Sequence, residues 1–160
     1  MKKAVMAIRS DVGYRLDTMH RAIQMIKRLP NTTMISASRF YETTCYDTKG
    51  TDEGFLSVCI LLLTELSPHT LYGAGLGMAA SLKKESEIAS PENVIFDLLL
   101  YEDAMIRDNE LKVPNTEQFS EDFVLQGLND LFPAKMALGL DFSGLFRRSD
   151  FAGTHLFEEK

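Results

Sequence analysis

The chain has 160 residues, 45% of them hydrophobic and 25% charged, which is enough to bury one ordinary globular core. Seventeen Lys and Arg against 23 Asp and Glu give a net charge of −6 and argue against a nucleic-acid binder, which needs clustered cations. The apolar run from Val58 to Leu63 is too short for a bilayer, which takes about 20 residues. The start, Met1 to Arg9, is basic, but its apolar stretch is shorter than the roughly 7–15 residues of a signal peptide. Cys45 and Cys59 fit neither metal spacing nor a disulfide framework. These features predict a cytoplasmic protein in a reduced compartment, with no membrane partner.

No repeat or low-complexity tract divides the sequence, so residues 1–160 are read as a single domain. Ala4–Ile8 predicts a first, buried strand. Leu16, Met19, Ile23, Ile26 and Leu29 recur at steps of three and four and predict a helix that ends at Pro30-Asn31. Met34–Tyr41 reads as a strand, Thr43–Gly54 as a polar loop and Phe55–Leu66 as a central strand. Ser67-Pro68 is a helix start, a hydroxyl cap followed by proline at the first helical position. Leu71, Gly75, Met78 and Leu82 form the buried face of that helix.

Lys83–Asn93 is predicted to be a polar loop, and Val94–Tyr101 another strand, also central. Phe119–Phe132 reads as a further helix. The tail, residues 133–160, reads as irregular, with Phe142, Phe146, Phe151 and Phe157 packing it onto the rest. Strand, helix, strand, strand, helix, strand is the order of a ferredoxin-like α+β sandwich, βαββαβ, an antiparallel sheet with helices on one face.

Most candidate motifs have plain structural readings. Gly73, Gly75 and Gly77 lie inside the helix rather than before it, which suits close helix–sheet packing better than phosphate binding. His20, His69 and His155 are scattered, with no carboxylate at ligand spacing. Glu102, Asp103, Asp108 and Glu110 read as a solvated turn. Asp97 is different, because it interrupts an apolar strand. A carboxylate there must be paired, hydrogen-bonded, metal-bound or facing a wet surface.

These residues, taken with their neighbours, form an ordered series. It runs through Ala7-Ile8-Arg9-Ser10-Asp11-Val12-Gly13, Ser38-Arg39-Phe40-Tyr41-Glu42-Thr43, Phe55-Leu56-Ser57 and Leu66-Ser67-Pro68. It continues with Asp97-Leu98-Leu99-Leu100-Tyr101, Lys112-Val113-Pro114 and Phe123-Val124-Leu125, then Leu128 and Pro133. The series resembles the 6-hydroxymethyl-7,8-dihydropterin pyrophosphokinases over most of residues 4–134. Those folate-pathway enzymes move a pyrophosphoryl group from ATP to a pterin alcohol. The resemblance implies the ferredoxin-like core already read from the pattern. It also implies ATP and magnesium as cofactors and a small pterin-like ligand. Phe55 and Phe123 would stack that ligand, with Ser57 and Thr43 beside it. Asp97 would be the catalytic and metal-binding carboxylate, and Lys83 and Lys84 would meet the nucleotide.

The departures from the family pattern fall on the phosphate chemistry. The family's Gly-Ser-Asn reads Arg9-Ser10-Asp11. In Asp-x-Asp the first carboxylate is Ile95 and only Asp97 remains. The arginine-bearing loop reads Ile88-Ala89-Ser90-Pro91-Glu92-Asn93, Val-Pro-His ends in Asn115, a later arginine is Glu121, and the pterin-binding asparagine is Ser57. Phosphoryl transfer depends on positioning and on neutralising phosphate charge. These losses predict a degenerate metal and ATP site with weak or lost activity. A non-catalytic pterin- or heterocycle-binding relative, and an interaction protein using only the fold, are the alternatives.

Overall fold

The computed structural model describes residues 1–10, 15–44, 54–85 and 94–158. The loop expected from Thr43 to Gly54 and the one expected from Lys83 to Asn93 lie largely outside them, as do Asp11, Gly13 and Cys45.

Strand β1 (Lys2–Ser10) sits between β4 (Phe55–Thr64) and β5 (Val94–Tyr101), antiparallel to both. The expected second strand is two strands, β2 (Thr32–Ala37) and β3 (Tyr41–Thr43), both paired with β4. The chain leaves the sheet at Ser38, whose N–H donates to the Cys59 carbonyl at 2.8 Å while its hydroxyl oxygen accepts from the Cys59 N–H at 2.9 Å. That exchange holds the break against β4.

Helix α1 (Arg15–Lys27) and helix α2 (Pro68–Glu85) cover one face of the sheet. Alternate residues of the strands point at them: Ala4, Met6 and Ile8; Leu56, Val58, Ile60 and Leu62; Val94, Phe96 and Leu98. The Ser67 hydroxyl accepts the Thr70 N–H at 3.2 Å, so the predicted cap forms. Of the three helix glycines only Gly75 is needed for close packing, since a Cβ there would lie 3.1 Å from Phe96 Cβ.

The two helices of the βαββαβ core thus share one face as expected, and the further helix and the tail cover the other. The strands are apolar at consecutive positions, and both faces must be removed from water. Val5, Ala7, Cys59 and Leu99 pack under helix α3 (Asp122–Leu131), together with Phe119, Phe123, Val124 and Leu128. The expected helix over Phe119–Phe132 is in fact a 3₁₀ turn (Thr116–Ser120) followed by α3. The β5 strand, expected to be central, is an edge strand, with β6 (Ile106–Arg107) and β7 (Lys112–Val113) forming a small hairpin after it.

The tail is ordered rather than irregular. It carries a hairpin of β8 (Met136–Ala137) and β9 (Leu140–Asp141), then α4 (Ser143–Arg148) and β10 (Thr154–Leu156). Phe142 is fully buried in the second core, and β10 pairs with β3 as the opposite edge of the main sheet. No described helix is long and apolar enough to cross a membrane.

Gly127 sets how closely α3 lies on the sheet. A Cβ at that position would press on Cys59 Sγ and come within 3.0 Å of Cys59 Cβ. Gly127→Ala is therefore expected to cost about 1–3 kcal/mol, the usual range for overpacking. Adding Cys59→Ala should recover most of that loss in urea unfolding. A neutral Gly127→Ala would show that α3 sits farther from β4.

Candidate active site

Residues directly opposite each other on antiparallel strands project from the same face. Arg9 faces Ser57 on β4 and Ile95 on β5. Ala7 faces Cys59 and Asp97, while Phe55 and Ser57 face Thr43 and Tyr41 on β3. Alternation along each strand then puts Arg9, Phe55, Ser57, Thr43, Ile95 and Asp97 on the α3 side of the sheet. Phe123, in the first turn of α3, comes down onto Phe55. Residues from four strands and one helix thus share a single face.

Asp97 is half-buried on the edge strand. Burial pushes its carboxyl above the usual carboxylate range, and the positive charge of Arg9 partly offsets this. Together with Ile95 it lines a cleft of about 270 Å³ between β5, α2 and the β6–β7 segment. Tyr72, Leu76 and Ala79 supply the α2 wall, and Glu110, Lys112 and Asn115 the opposite one.

The acidic turn that seats this second wall is more than a solvated surface. Asp108 accepts hydrogen bonds from the Leu111 N–H at 2.7 Å and the Glu110 N–H at 2.9 Å. His69, at the start of α2, meets its other carboxylate oxygen at 2.7 Å. The bond to His69, with the two backbone donors, holds the Asp108 carboxyl below its ordinary range. Histidines 69 and 155 are therefore each paired with a carboxylate, His155 with Glu42 at 3.0 Å. The Asn115 N–H donates to the Leu99 carbonyl at 2.8 Å, closing the segment onto the edge of β5 just beyond Asp97.

The donors for two magnesium ions are not assembled here. Among the described residues, no three His, Cys, Asp or Glu side chains are grouped to hold a metal ion. Ile95 is the residue two positions from Asp97 on the same face, and it offers no ligand atom.

The expected aromatic pair is brought together without a gap. The rings of Phe55 and Phe123 meet edge to face, 4.9 Å between centroids and 81° between planes. A heterocycle stacked between two rings needs roughly 3.5–4.0 Å on each side, so these rings must part to admit one. Ser57 is buried, and its hydroxyl donates to the Tyr41 carbonyl at 3.4 Å. The Thr43 hydroxyl is 3.2 Å from that of Thr154, which places the tail beside the site.

Lys83 lies in the last turn of α2, exposed and not in the expected loop. Lys84 belongs to the same helix, and its side chain lies outside the described set. The residue that sequence reasoning passed over is Arg9. Its guanidinium carbon lies 5.1 Å from the centroid of the Phe55 ring. Its sequence signal is weak, since Arg9 only follows an apolar run and is succeeded by Ser10-Asp11, whereas Asp97 stands inside one.

The raised Asp97 titration has a definite sign. A carboxyl with a higher pKa in the folded than in the unfolded chain binds protons more readily when folded. Its ionisation destabilises the fold as pH rises from the unfolded value upward, and the penalty persists at neutral pH. Asp97→Asn is expected to raise the thermal midpoint at pH 7 in EDTA, with the gain shrinking as pH falls toward about 4. A gain that is constant with pH would show that Asp97 titrates normally.

Residues 5–133 match the profile of the family described as 7,8-dihydro-6-hydroxymethylpterin-pyrophosphokinase (HPPK). The 2-amino-4-hydroxy-6-hydroxymethyldihydropteridine pyrophosphokinase of Methylorubrum extorquens is 27% identical over 134 residues, covering 83% of this chain and 84% of that one. The bifunctional protein FolKE of Lactococcus lactis is 26% identical over 132 residues, covering 82% of this chain and 38% of that one. In structure the chain is similar to HPPK-DHPS of Plasmodium falciparum, with a TM-score of 0.66 at 10% identity over 92% of this chain and 43% of that one. The chain thus spans well under half the length of these last two proteins and most of the first. Cleft, aromatic pair and remaining carboxylate lie within the matched span, and the chain belongs to the 7,8-dihydro-6-hydroxymethylpterin-pyrophosphokinase family.

Proposed function

We propose that this chain is a folate-pathway transferase of the family's type, moving a pyrophosphoryl group from ATP to a pterin alcohol at a much reduced rate. The family match and the activity named for the Methylorubrum relative support the reaction class. The observation that carries the reduced rate is the lone carboxylate, Asp97 with Ile95 two residues away on the same face.

In this reading the pterin ring enters where Phe55 and Phe123 meet, once the rings part. Ser57 and Thr43 bound the far side of that position. Asp97 faces the transferred group, where its raised proton affinity suits it to hold the proton of the substrate hydroxyl. The nucleotide lies along the cleft between α2 and β5, with Lys112 as its cation and Asn115 as a neutral donor. Lys83 and Lys84, at the end of α2, would supply further positive charge for the phosphates. Lysine gives a point charge rather than the bidentate fork of the missing arginines. Magnesium would supply phosphate neutralisation in this chemistry, but among the described residues the donors do not fit two ions. Glu110 in the cleft wall and Glu121 before α3 add negative charge near the phosphates.

Residues 1–160 act as one unit in this proposal, because the tail contributes Phe142 to the second core and β10 to the sheet beside Thr43.

The test is a turnover assay with magnesium-ATP and 6-hydroxymethyl-7,8-dihydropterin, run beside a relative that has both carboxylates. Loss of one electrostatic group commonly costs about 10²–10³-fold, so the rate is expected at least that far below the relative's. A comparable rate would overturn the reduced-activity reading.

Ile95→Asp tests the cause. Both carboxylates would then share one face, and affinity for magnesium and for ATP should rise together. Without metal the variant should melt at a lower temperature, since two like charges would share one site. If the variant is destabilised and magnesium restores nothing, the lone-carboxylate explanation fails.

A further inference from the structure

Arg9 is a charged side chain that follows the buried run Ala4–Ile8 of β1. It is half-buried, and its Nε is buried with no hydrogen-bond partner among the described residues. The Phe55 ring takes the flat side of the guanidinium, at 5.1 Å from its carbon to the ring centroid. Such stacking leaves the N–H donors at the rim of the guanidinium still in need of acceptors. The Asp97 carboxylate faces the next position along the strand and forms no ion pair with Arg9 within 4.0 Å among those described. A buried donor without a partner, stacked on an aromatic ring and directly across from a residue that lines the cleft, calls for an acceptor from outside the chain.

The residue directly opposite Arg9 on β5 is Ile95. A carboxylate is absent at one member of that cross-strand pair, and a fixed positive charge is present at the other. Together these shift the local charge as a bound divalent ion would.

We propose that Arg9 is the built-in cation of this site, receiving a phosphate oxygen of the ligand, so that phosphate-bearing ligands bind this face without magnesium. The inference rests on the proposed function, which brings a nucleotide to the cleft lined by Ile95, the cross-strand neighbour of Arg9. It goes further in naming the residue that neutralises the phosphate and in making binding independent of metal. A guanidinium suits the task because its fork can pair two phosphate oxygens at once.

The experiment is calorimetric titration of the full chain with ATP, once in EDTA and once with magnesium. Wild-type affinities in the two buffers are expected to agree within about threefold. Arg9→Gln should weaken ATP in EDTA by roughly tenfold or more, the scale of a lost hydrogen bond to a charged group. Arg9→Lys should lose less than Arg9→Gln, because it keeps the charge. Adenosine, which has no phosphate, should bind wild type and Arg9→Gln alike. A merely structural role for Arg9 would weaken both ligands and overturn the inference. Binding that requires magnesium and is unchanged in Arg9→Gln would overturn it too, while leaving the proposed function standing. Absence of ATP binding in both buffers would overturn both. If Arg9→Gln does not fold, the two wild-type titrations and Arg9→Lys decide by the same criteria.

Discussion

The register of β1 between β4 and β5 is the constraint on which the rest of the structure depends. Nine consecutive residues of β1, from Lys2 to Ser10, pair with Thr64 to Leu56. A slip of one residue would turn Ala4, Met6 and Ile8 away from α1 and α2 and send Arg9 into the core under them. Both faces of this strand are buried through Val5–Ile8, so both cores oppose such a slip. The same pairing places Arg9 between Ser57 and Ile95, and Ala7 between Cys59 and Asp97. Core and site are therefore written on alternate positions of the same strands, and neither can move without the other.

The second element of the site, Phe123, depends on how α3 is seated. Gly127 lets the helix approach Cys59, and Asp130 anchors its far end. The Asp130 carboxylate accepts from Arg39 Nε at 3.1 Å, Nη2 at 2.9 Å and backbone N–H at 3.0 Å, and from the Tyr41 hydroxyl at 2.9 Å. Burial pushes this carboxyl up, but the Arg39 and Tyr41 bonds outweigh it and hold it below the ordinary range. Arg39 and Tyr41 flank the break between β2 and β3. The anchor therefore ties the break, the end of α3 and the strand carrying Thr43 into one unit. The β10 pairing extends that unit to the tail, whose Thr154 meets Thr43.

The fold was legible in the sequence wherever one physical pattern dominated. Val94–Tyr101 was read to the residue, and the Ser67-Pro68 start of α2 formed as its cap chemistry requires. Misreadings arose where tertiary partners decide. Met34–Tyr41 alternates as one strand, yet the exchange between Ser38 and Cys59 and the pull of Asp130 on Arg39 divide it, and no local signal marks those partners. Strand β5 is as apolar as a central strand because its residues enter both cores, Val94, Phe96 and Leu98 the first and Leu99 and Leu100 the second, although in the main sheet it pairs only with β1. The tail strand β10 has three residues and pairs with a strand over a hundred positions earlier, beyond the reach of periodicity. At the site, Asp97 was legible because a carboxylate in an apolar strand demands an explanation. Arg9 ends an apolar run and leads into Ser10-Asp11, so only its departure from the family pattern marks it in the sequence.

The alternation of core and site residues also lets the chemistry of the cleft positions vary without disturbing the core. Position 95 is half-buried, and its isoleucine lines the same cleft as Leu76 and Ala79. A second carboxylate would stand on the same face as Asp97, and each would raise the proton affinity of the other in the absence of metal. Replacing it with isoleucine removes that repulsion and adds apolar burial, so the substitution is favourable to folding in its own right. Arginine at position 9 acts in the same direction on Asp97, offsetting part of the cost of its burial. Stability and phosphate chemistry are thus opposed at this pair of positions. Isoleucine at 95 and arginine at 9 stand on the stability side of that opposition, while the positions facing α1 and α2 are set by the register.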